Sequence, residues 1–439
     1  MHKYASLPPK IRDSLNVSWK EGIPAQMMVA IVDTYMVPFA LFLGATVFQI
    51  GFLVAIPNLI GSISQIFAVR VVRAAGNRLP FLILGATVQA FLLLPVGAFA
   101  FLSFPGQIAL LIILITAYRI LGNLISTVWG SLVSDYLPPH QRGEYFGWRS
   151  RIAGTAGVFA LAVAGIFLHF GKKFSAVFAF FLVFWAASFC RFLSASFLRK
   201  MADSPYELKP ENDFTFFMFI RRLRESNFVK YVLYVSSITF AVQLAGPYFT
   251  VLMLRDFQFS YLLFMMIQLT GMASSFLFLP LWGKHADIIG NARILKITSL
   301  LIPTIPFLWL FSKNIFYLII VQLYAGFVWA GFELCSANFI YDAVSPEKRV
   351  RCYGYFNLFN GIALFLGASL GGFLADRLPP LLGHSIYTLL ALSGIARLLA
   401  HFALSGKFHE VREGVEKVSS LQLFFSVLGI RPLSGFNRE

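Results

Sequence analysis

Charge is scarce in this chain, and acidic charge scarcer still. Only 13% of its 439 residues are charged, 20 acids against 36 bases, while 58% are hydrophobic. That is too little charge to coat a chain of this size, which excludes an ordinary soluble protein. Cysteine is nearly absent. Cys190, Cys335 and Cys352 lie in or beside expected helices, with no metal-ligand spacing and no convincing disulfide pair. There is no nucleophile motif, no phosphate loop and no cluster of metal ligands, so neither an enzyme site nor a metal or cofactor is expected. A nucleotide-binding domain is missing too, and ATP drive would need a separate subunit. The formal net charge of +16 raises the question of nucleic acid. The basic residues stand at the ends of apolar segments rather than along one face, so no nucleic-acid partner is expected.

What the chain has is length of apolar sequence. Phe occurs 49 times, which suits lipid-facing and cavity-lining surface better than an aqueous fold. The first apolar stretch, Ile23 to Ala45, is too long for a cleaved signal segment and reads as a retained first span. Stretches long enough to cross a bilayer follow near 23–44, 47–68, 79–102, 107–133, 152–170 and 175–197, then near 229–252, 260–281, 294–312, 315–340, 355–375 and 384–405. This predicts an all-α membrane protein of about twelve transmembrane helices. Residues 1–197 form a first six-helix bundle, 198–228 a cytoplasmic connector, and 229–439 a second bundle with a tail. Within the connector, Phe214 to Glu225 reads as an interfacial helix, a linker or a lipid-responsive element; Val418 to Ile430 is amphipathic as well. Of the Lys and Arg residues, 28 fall in one set of alternate segments and 5 in the other. Positive charge prefers the cytoplasmic side, which predicts cytoplasmic termini and connector in a cell inner membrane.

The two halves also repeat one another. Asp135, Pro139, Arg142 and Gly147 recur as Asp342, Pro346, Arg349 and Gly354, each displaced by 207 residues. Each copy joins two long apolar helices, as in a transporter built from two pseudo-symmetric bundles. Between the second and third spans of the second half stand Gly283, Asp287, Gly290 and Arg293. This loop resembles the G-x-x-x-D-x-x-G-x-x-[RK] motif of the major facilitator superfamily, and the resemblance covers nearly the whole chain. It implies alternating access, with spans one, four, seven and ten lining a central cavity. The first-half copy is degenerate: Gly76-Asn77-Arg78 keeps its end, but Arg73 stands where the family places Asp, and Val69 where it places Gly. Gly154, Gly157 and Gly165 lack the proline of the family's antiporter signature, so the motif does not support antiport.

Asp135, Asp342 and Asp287 sit at cytoplasmic helix ends near Arg142, Arg349 and Arg293. They read either as an inner gate whose acid–Arg ties make and break, or as static turn-formers and topology charges. Gly147 and Gly354 read as helix-packing positions.

Ionisable residues deep in apolar spans are expensive. Asp33 is halfway along span one, Arg119 near the middle of span four, and Glu333 in span ten toward the cytoplasm. Polar and small residues share helix faces with them at steps of three or four: Arg119, Gly122, Asn123, Ser126, Gly130 and Ser134 in span four, Ser236, Thr239, Gln243 and Thr250 in span seven, and Gln322, Gly326, Trp329, Glu333 and Ser336 in span ten. Asp33, Arg119, Glu333, Asn123, Gln243 and Trp329 are the expected substrate and proton ligands; the rival reading of the neutral ones is helix-packing glue. Arg397 with His401, and Arg191, read as snorkelling or packing. The whole is read as a monomeric secondary transporter of a small organic solute in membrane lipid, driven by protons. Sodium coupling, facilitated diffusion, and a receptor or enzyme on a transporter scaffold are the alternatives. A zwitterion, an amphipathic organic ion and a lipophilic drug fit the polar residues equally.

Overall fold

A computed structural model describes residues 8–67, 77–203, 226–344 and 349–412. The expected interfacial helix at 214–225 and the amphipathic stretch at 418–430 lie outside the described residues, as does Pro346 of the second repeated loop. Within lipid, backbone polar groups must bond inside their own segment, and the apolar runs accordingly form helices. Among the described residues these are α1 (Pro9–Phe42), α2 (Val47–Ile66), α3 (Arg78–Ala98), α4 (Gln107–Asp135), α5 (Pro139–Leu198), α6 (Asn227–Gln243), α7 (Tyr248–Val251), α8 (Tyr261–Ile289), α9 (Asn291–Leu301), α10 (Thr304–Leu308), α11 (Ile315–Ala343), α12 (Arg349–Ala375) and α13 (Ser385–Leu404).

Among the described residues, ten helical stretches are long and apolar enough to cross a membrane. One of them is long enough for two crossings: α5 carries spans five and six, and turns at Ser175, whose extended backbone (φ −162°, ψ 113°) interrupts the helix. The Ser175 hydroxyl accepts the amide of Phe178 and so restarts the helix. Span nine is instead broken at Ile302-Pro303 into α9 and α10, each too short to qualify alone. The architecture is therefore twelve crossings.

Two boundaries differ from the sequence reading. Helix α1 begins at Pro9, with proline in its first turn, and so carries Glu21 inside a helix rather than ahead of one. Helix α5 begins at Pro139, a dozen residues before the expected fifth span, because the repeated loop is itself helical from that proline onward.

The chain divides into two compact units, Met1–Glu211 with Thr250–Met265, and Asn212–Phe249 with Met266–Glu439. In the first unit α1 packs against both limbs of α5: Tyr35 donates to the Leu161 carbonyl at 2.7 Å, Tyr145 to the Leu15 carbonyl at 2.9 Å, and Phe39 sits between Phe180 and Phe184. In the second unit α6, α9 and α11 surround a core of Tyr231, Tyr234, Trp282, Phe339 and Phe408. Helices α8 and α11 touch there through glycine; a Cβ on Gly326 would run into the Gly271 carbonyl.

Candidate functional site

In the first unit the site is built by α1, α2 and α4. Asp33 lies in a stretch of α1 whose neighbours Ile31, Val32, Tyr35 and Met36 are all buried, yet its own side chain is 39% exposed. Its Oδ1 accepts Arg119 Nη2 at 2.6 Å, and the Arg119 side chain is 29% exposed. The rotation of α4 is set one residue earlier. The buried Tyr118 donates to Met28 Sδ at 2.9 Å, and its carbonyl accepts Gln89 Nε2 at 3.0 Å, so Arg119 emerges on the face toward Asp33. Asn123 follows Arg119 by one turn. Helix α2 reaches it because residue 61 is glycine: a Cβ on Gly61 would stand 2.6 Å from Asn123 Nδ2. Charge in the middle of membrane-crossing helices is expensive unless it is paired, and here each charge has the other as its partner. Chemically, the carboxylate has two alternative partners, the guanidinium and a proton.

In the second unit Glu333 is exposed on α11, and among the described residues it has neither a hydrogen-bond partner nor an ion-pair partner. Trp329, one turn earlier on the same face, is half-buried and meets Phe332 edge-on at 5.7 Å. Gln243 is the last residue of α6, half-buried, where span seven breaks before Pro247. Thr239, one turn before it, donates to Asn360 Oδ1 on α12 at 2.8 Å, a residue that the sequence reading passed over. The structure thus brings Asp33, Arg119 and Asn123 together in one unit, and sets Trp329 and Glu333 on one helix face in the other.

At the repeated loops the acids take partners other than the loop arginines. Asp135 pairs with Arg78 at 2.7 Å, and the fully buried Arg78 also donates to Ser131 Oγ at 3.0 Å. Asp342 pairs with Arg412 Nε at 2.9 Å and accepts Asn291 Nδ2 at 2.6 Å; Asp287 meets Arg412 Nη1 at 3.2 Å. Arg142 Nε instead donates to the Leu137 carbonyl, and Arg349 Nε to the Val344 carbonyl, both at 3.1 Å. These two bonds are again related by 207 residues. Each arginine ties its own loop to the orphan carbonyls that end the preceding helix.

Arg293 stands in the first turn of α9. Its N-terminus begins at Gly290, whose φ of +88° suits glycine, and a Cβ there would overlap the Glu410 carboxylate. That carboxylate accepts the Ala292 amide at 2.8 Å. Asp203 plays the same part in the first half, accepting the Leu79 amide of α3 at 3.2 Å. Asp203 and Glu410 are also 207 residues apart, following Lys200 and Lys407, so the sequence repeat extends beyond the sixth and twelfth spans; that was the signal available for them. Gly283 is open, with only Leu334 within van der Waals reach.

One buried charge site, at Glu21, was missed, and of the two readings of Arg191 and Arg397, snorkelling or packing, the structure shows packing. Glu21 of α1 holds Arg149 at 2.8 Å, Arg191 at 3.8 Å and the Ser194 hydroxyl at 2.7 Å, and all three charged side chains are largely or fully buried. Arg149 also stacks on Trp129, 3.8 Å from its centroid. Arg191 therefore does not snorkel; it is locked to an acid on another helix. Arg397 does not snorkel either. It is 2% exposed and reaches Ser393 Oγ at 3.1 Å, the Ile302 carbonyl at 3.2 Å and the Val242 carbonyl at 3.5 Å. Those carbonyls lie at the C-terminal ends of α9 and α6, beside the breaks in spans nine and seven. A cation is favoured at such ends because their backbone oxygens lack partners. His401, on the same helix, bonds Ser299 Oγ at 2.8 Å and Tyr234 at 3.3 Å, which is packing.

The family model described as Major Facilitator Superfamily matches residues 22–274 and 231–433. The vacuolar membrane amino acid uptake transporter fnx2 of Schizosaccharomyces pombe is 29% identical over 138 residues, which is 31% of this chain and 24% of that protein. The match thus spans about a quarter of that relative's length. Among solved structures, a bacterial homolog of the human lysosomal transporter Spinster in an inward-facing conformation aligns with a TM-score of 0.68 at 14% identity, covering 91% of this chain and 98% of the other. The D-xylose-proton symporter gives 0.69 at 14% identity over 93% and 100%. The nucleoside transporter NupG gives 0.68 at 13% identity over 92% and 100%. At these identities the likeness is one of fold.

Proposed function

Because this chain belongs to the Major Facilitator Superfamily and is a multi-pass membrane protein, we propose that it carries a small organic solute across the bilayer by alternating access, with the proton as coupling ion. The observation behind this reading is the Asp33–Arg119 pair: 2.6 Å apart, with both side chains partly exposed, and in the middle of two crossings. Protonation of Asp33 releases the guanidinium, which is then free to hold a hydrogen-bond acceptor on the solute; deprotonation takes the guanidinium back. One site thereby links a proton to a solute. Asn123 supplies an amide beside it, one turn along α4. The Schizosaccharomyces pombe relative takes up amino acids, which is consistent with a small polar solute.

The test is flux in proteoliposomes, using a solute selected by thermal-shift screening, since a ligand of the folded state raises its apparent stability. A pH gradient imposed with no other ion gradient should drive accumulation. With one proton per solute and no membrane potential, one pH unit supports up to about tenfold accumulation. Accumulation that follows a sodium gradient and ignores pH would establish the sodium-coupled alternative. Flux that never exceeds equilibration would establish a facilitator.

We further propose an inner-membrane location with both termini and the connector cytoplasmic, on the 28-to-5 asymmetry of Lys and Arg. Reporter fusions at Lys209 and Glu439 should both give the cytoplasmic phenotype. A periplasmic signal from either one would reverse the assignment.

A further inference from the structure

The two polar faces described above differ in one respect, which is charge balance. In the first unit the Asp33 carboxylate and the Arg119 guanidinium neutralise each other at 2.6 Å. In the second unit Glu333 is exposed on a membrane-crossing helix and has no cation or hydrogen-bond donor among the described residues. The one buried guanidinium of that unit's span twelve, Arg397, is directed to the carbonyl ends of α6 and α9 and to Ser393. A carboxylate within the span of a bilayer with no partner among the described residues is suited to a charge that comes from outside the chain.

What stands beside Glu333 narrows the kind of charge. Trp329 precedes it by one helical turn, so both side chains rise from the same face of α11. The indole is half-buried and held edge-on by Phe332 at 5.7 Å, which leaves it a fixed aromatic surface rather than a mobile one. A carboxylate next to a held indole attracts a cation of low hydration, because the ring quadrupole favours soft, alkylated ammonium groups over tightly hydrated metal ions. Metal binding has no support nearby, since no group of three His, Cys, Asp or Glu side chains that could hold an ion exists among the described residues. A proton alone would use the carboxylate but not the ring.

We propose that the transported solute is an organic monocation, an amine or quaternary ammonium compound, whose charged nitrogen docks on Glu333 and against Trp329. This deepens the transporter reading and rests on it. Within that reading Asp33 remains the acid that exchanges the proton, and Glu333 is the counter-charge for the nitrogen of the solute.

The proposal is tested by binding to the purified full-length protein, which needs no gradient. Thermal shifts are measured with a panel of amines and quaternary ammonium ions that also carry a hydrogen-bond acceptor, from ethanolamine to choline and acetylcholine. Each is paired with its neutral carbon isostere, 3,3-dimethylbutan-1-ol in the case of choline, and with the corresponding carboxylate anion. At least one cation should stabilise the protein where its isostere and anion do not. Glu333→Gln should weaken that cation about a hundredfold, because a charged partner is lost. Trp329→Leu should weaken it about tenfold through the lost ring contact. Glu333→Gln should fold at wild-type yield, since no hydrogen bond or ion pair of Glu333 holds α11 among the described residues, whereas Trp329→Leu gives up some packing against the core and should lower the denaturation midpoint without abolishing folding. If no cation in the panel stabilises the protein, if neutral isosteres stabilise it equally, or if Glu333→Gln leaves cation binding intact, the proposal is wrong. Failure of proton coupling would show instead in flux, with the Glu333-dependent cation response preserved, so the two readings fail separately.

Discussion

Asp33→Asn should abolish uphill transport while leaving the protein folded and able to exchange solute. The substitution keeps the shape of the side chain and one oxygen for Arg119, but removes the group that takes the proton. Under a gradient of one pH unit, the accumulation ratio should fall from about tenfold to about one, as each lost unit of proton drive corresponds to about a factor of ten. Counterflow, which needs no proton cycle, should persist. Little stability should be lost, because the amide keeps an oxygen that can still accept from the Arg119 guanidinium. Arg119→Ala should do more harm, reducing both transport and folding yield, since it leaves the carboxylate in the bilayer interior with no partner. Asp33→Asn combined with Arg119→Gln removes both charges and should restore yield without restoring accumulation. If Asp33→Asn still concentrates solute at the wild-type rate, Asp33 is not the coupling group, and Glu333 becomes the acid to test for it.

How much of this was legible in the sequence depends on the kind of interaction. Twelve crossings were legible because lipid demands about twenty apolar residues each time, and that pattern survives local irregularity. The turn between spans five and six was marked by Lys172 and Lys173, although the helix there runs on and yields only at Ser175. The nearness of Asp33 and Arg119 was readable because charge at mid-bilayer depth is rare and needs a partner at the same depth. The loop acids show the opposite case. Asp135 and Asp342 occupy equivalent positions, yet Arg78 answers one from the start of α3 and Arg412 the other from beyond α13. At a membrane surface many cations lie within reach, so spacing along the chain does not choose among them. Arg397 was illegible for a further reason. Its acceptors are the carbonyls of Val242 and Ile302, exposed by breaks in two helices, and a freed carbonyl carries no residue signature.

Glu21 carries the largest expected effect on stability, and it belongs to the part of the molecule that sequence reasoning did not reach. Its carboxylate is 5% exposed and bridges Arg149 and Arg191, one on each limb of α5, with the Ser194 hydroxyl as a third donor. Two guanidiniums against one carboxylate is an unbalanced set, and removing the acid leaves both cations buried with no counter-charge. Breaking a buried pair from one side costs about 3–5 kcal/mol, a large part of the stability of an ordinary domain. Glu21→Gln should therefore lower the denaturation midpoint in detergent sharply and reduce the yield of folded protein. Glu21→Asp, one methylene shorter, should lose only part of this. Adding Arg191→Met to Glu21→Gln should recover stability, because it removes the most buried of the stranded charges. Arg149 would still hold the Ser18 carbonyl at 3.1 Å and stack on Trp129. A merely local acid would not show that rescue. The contrast with Asp33 is the sharper measurement: one acid should govern coupling with little effect on stability, the other stability first. If Glu21→Gln keeps its unfolding free energy within about 1 kcal/mol of wild type but loses uphill transport, then Glu21 is itself a proton site and the rivet between α1 and α5 lies elsewhere.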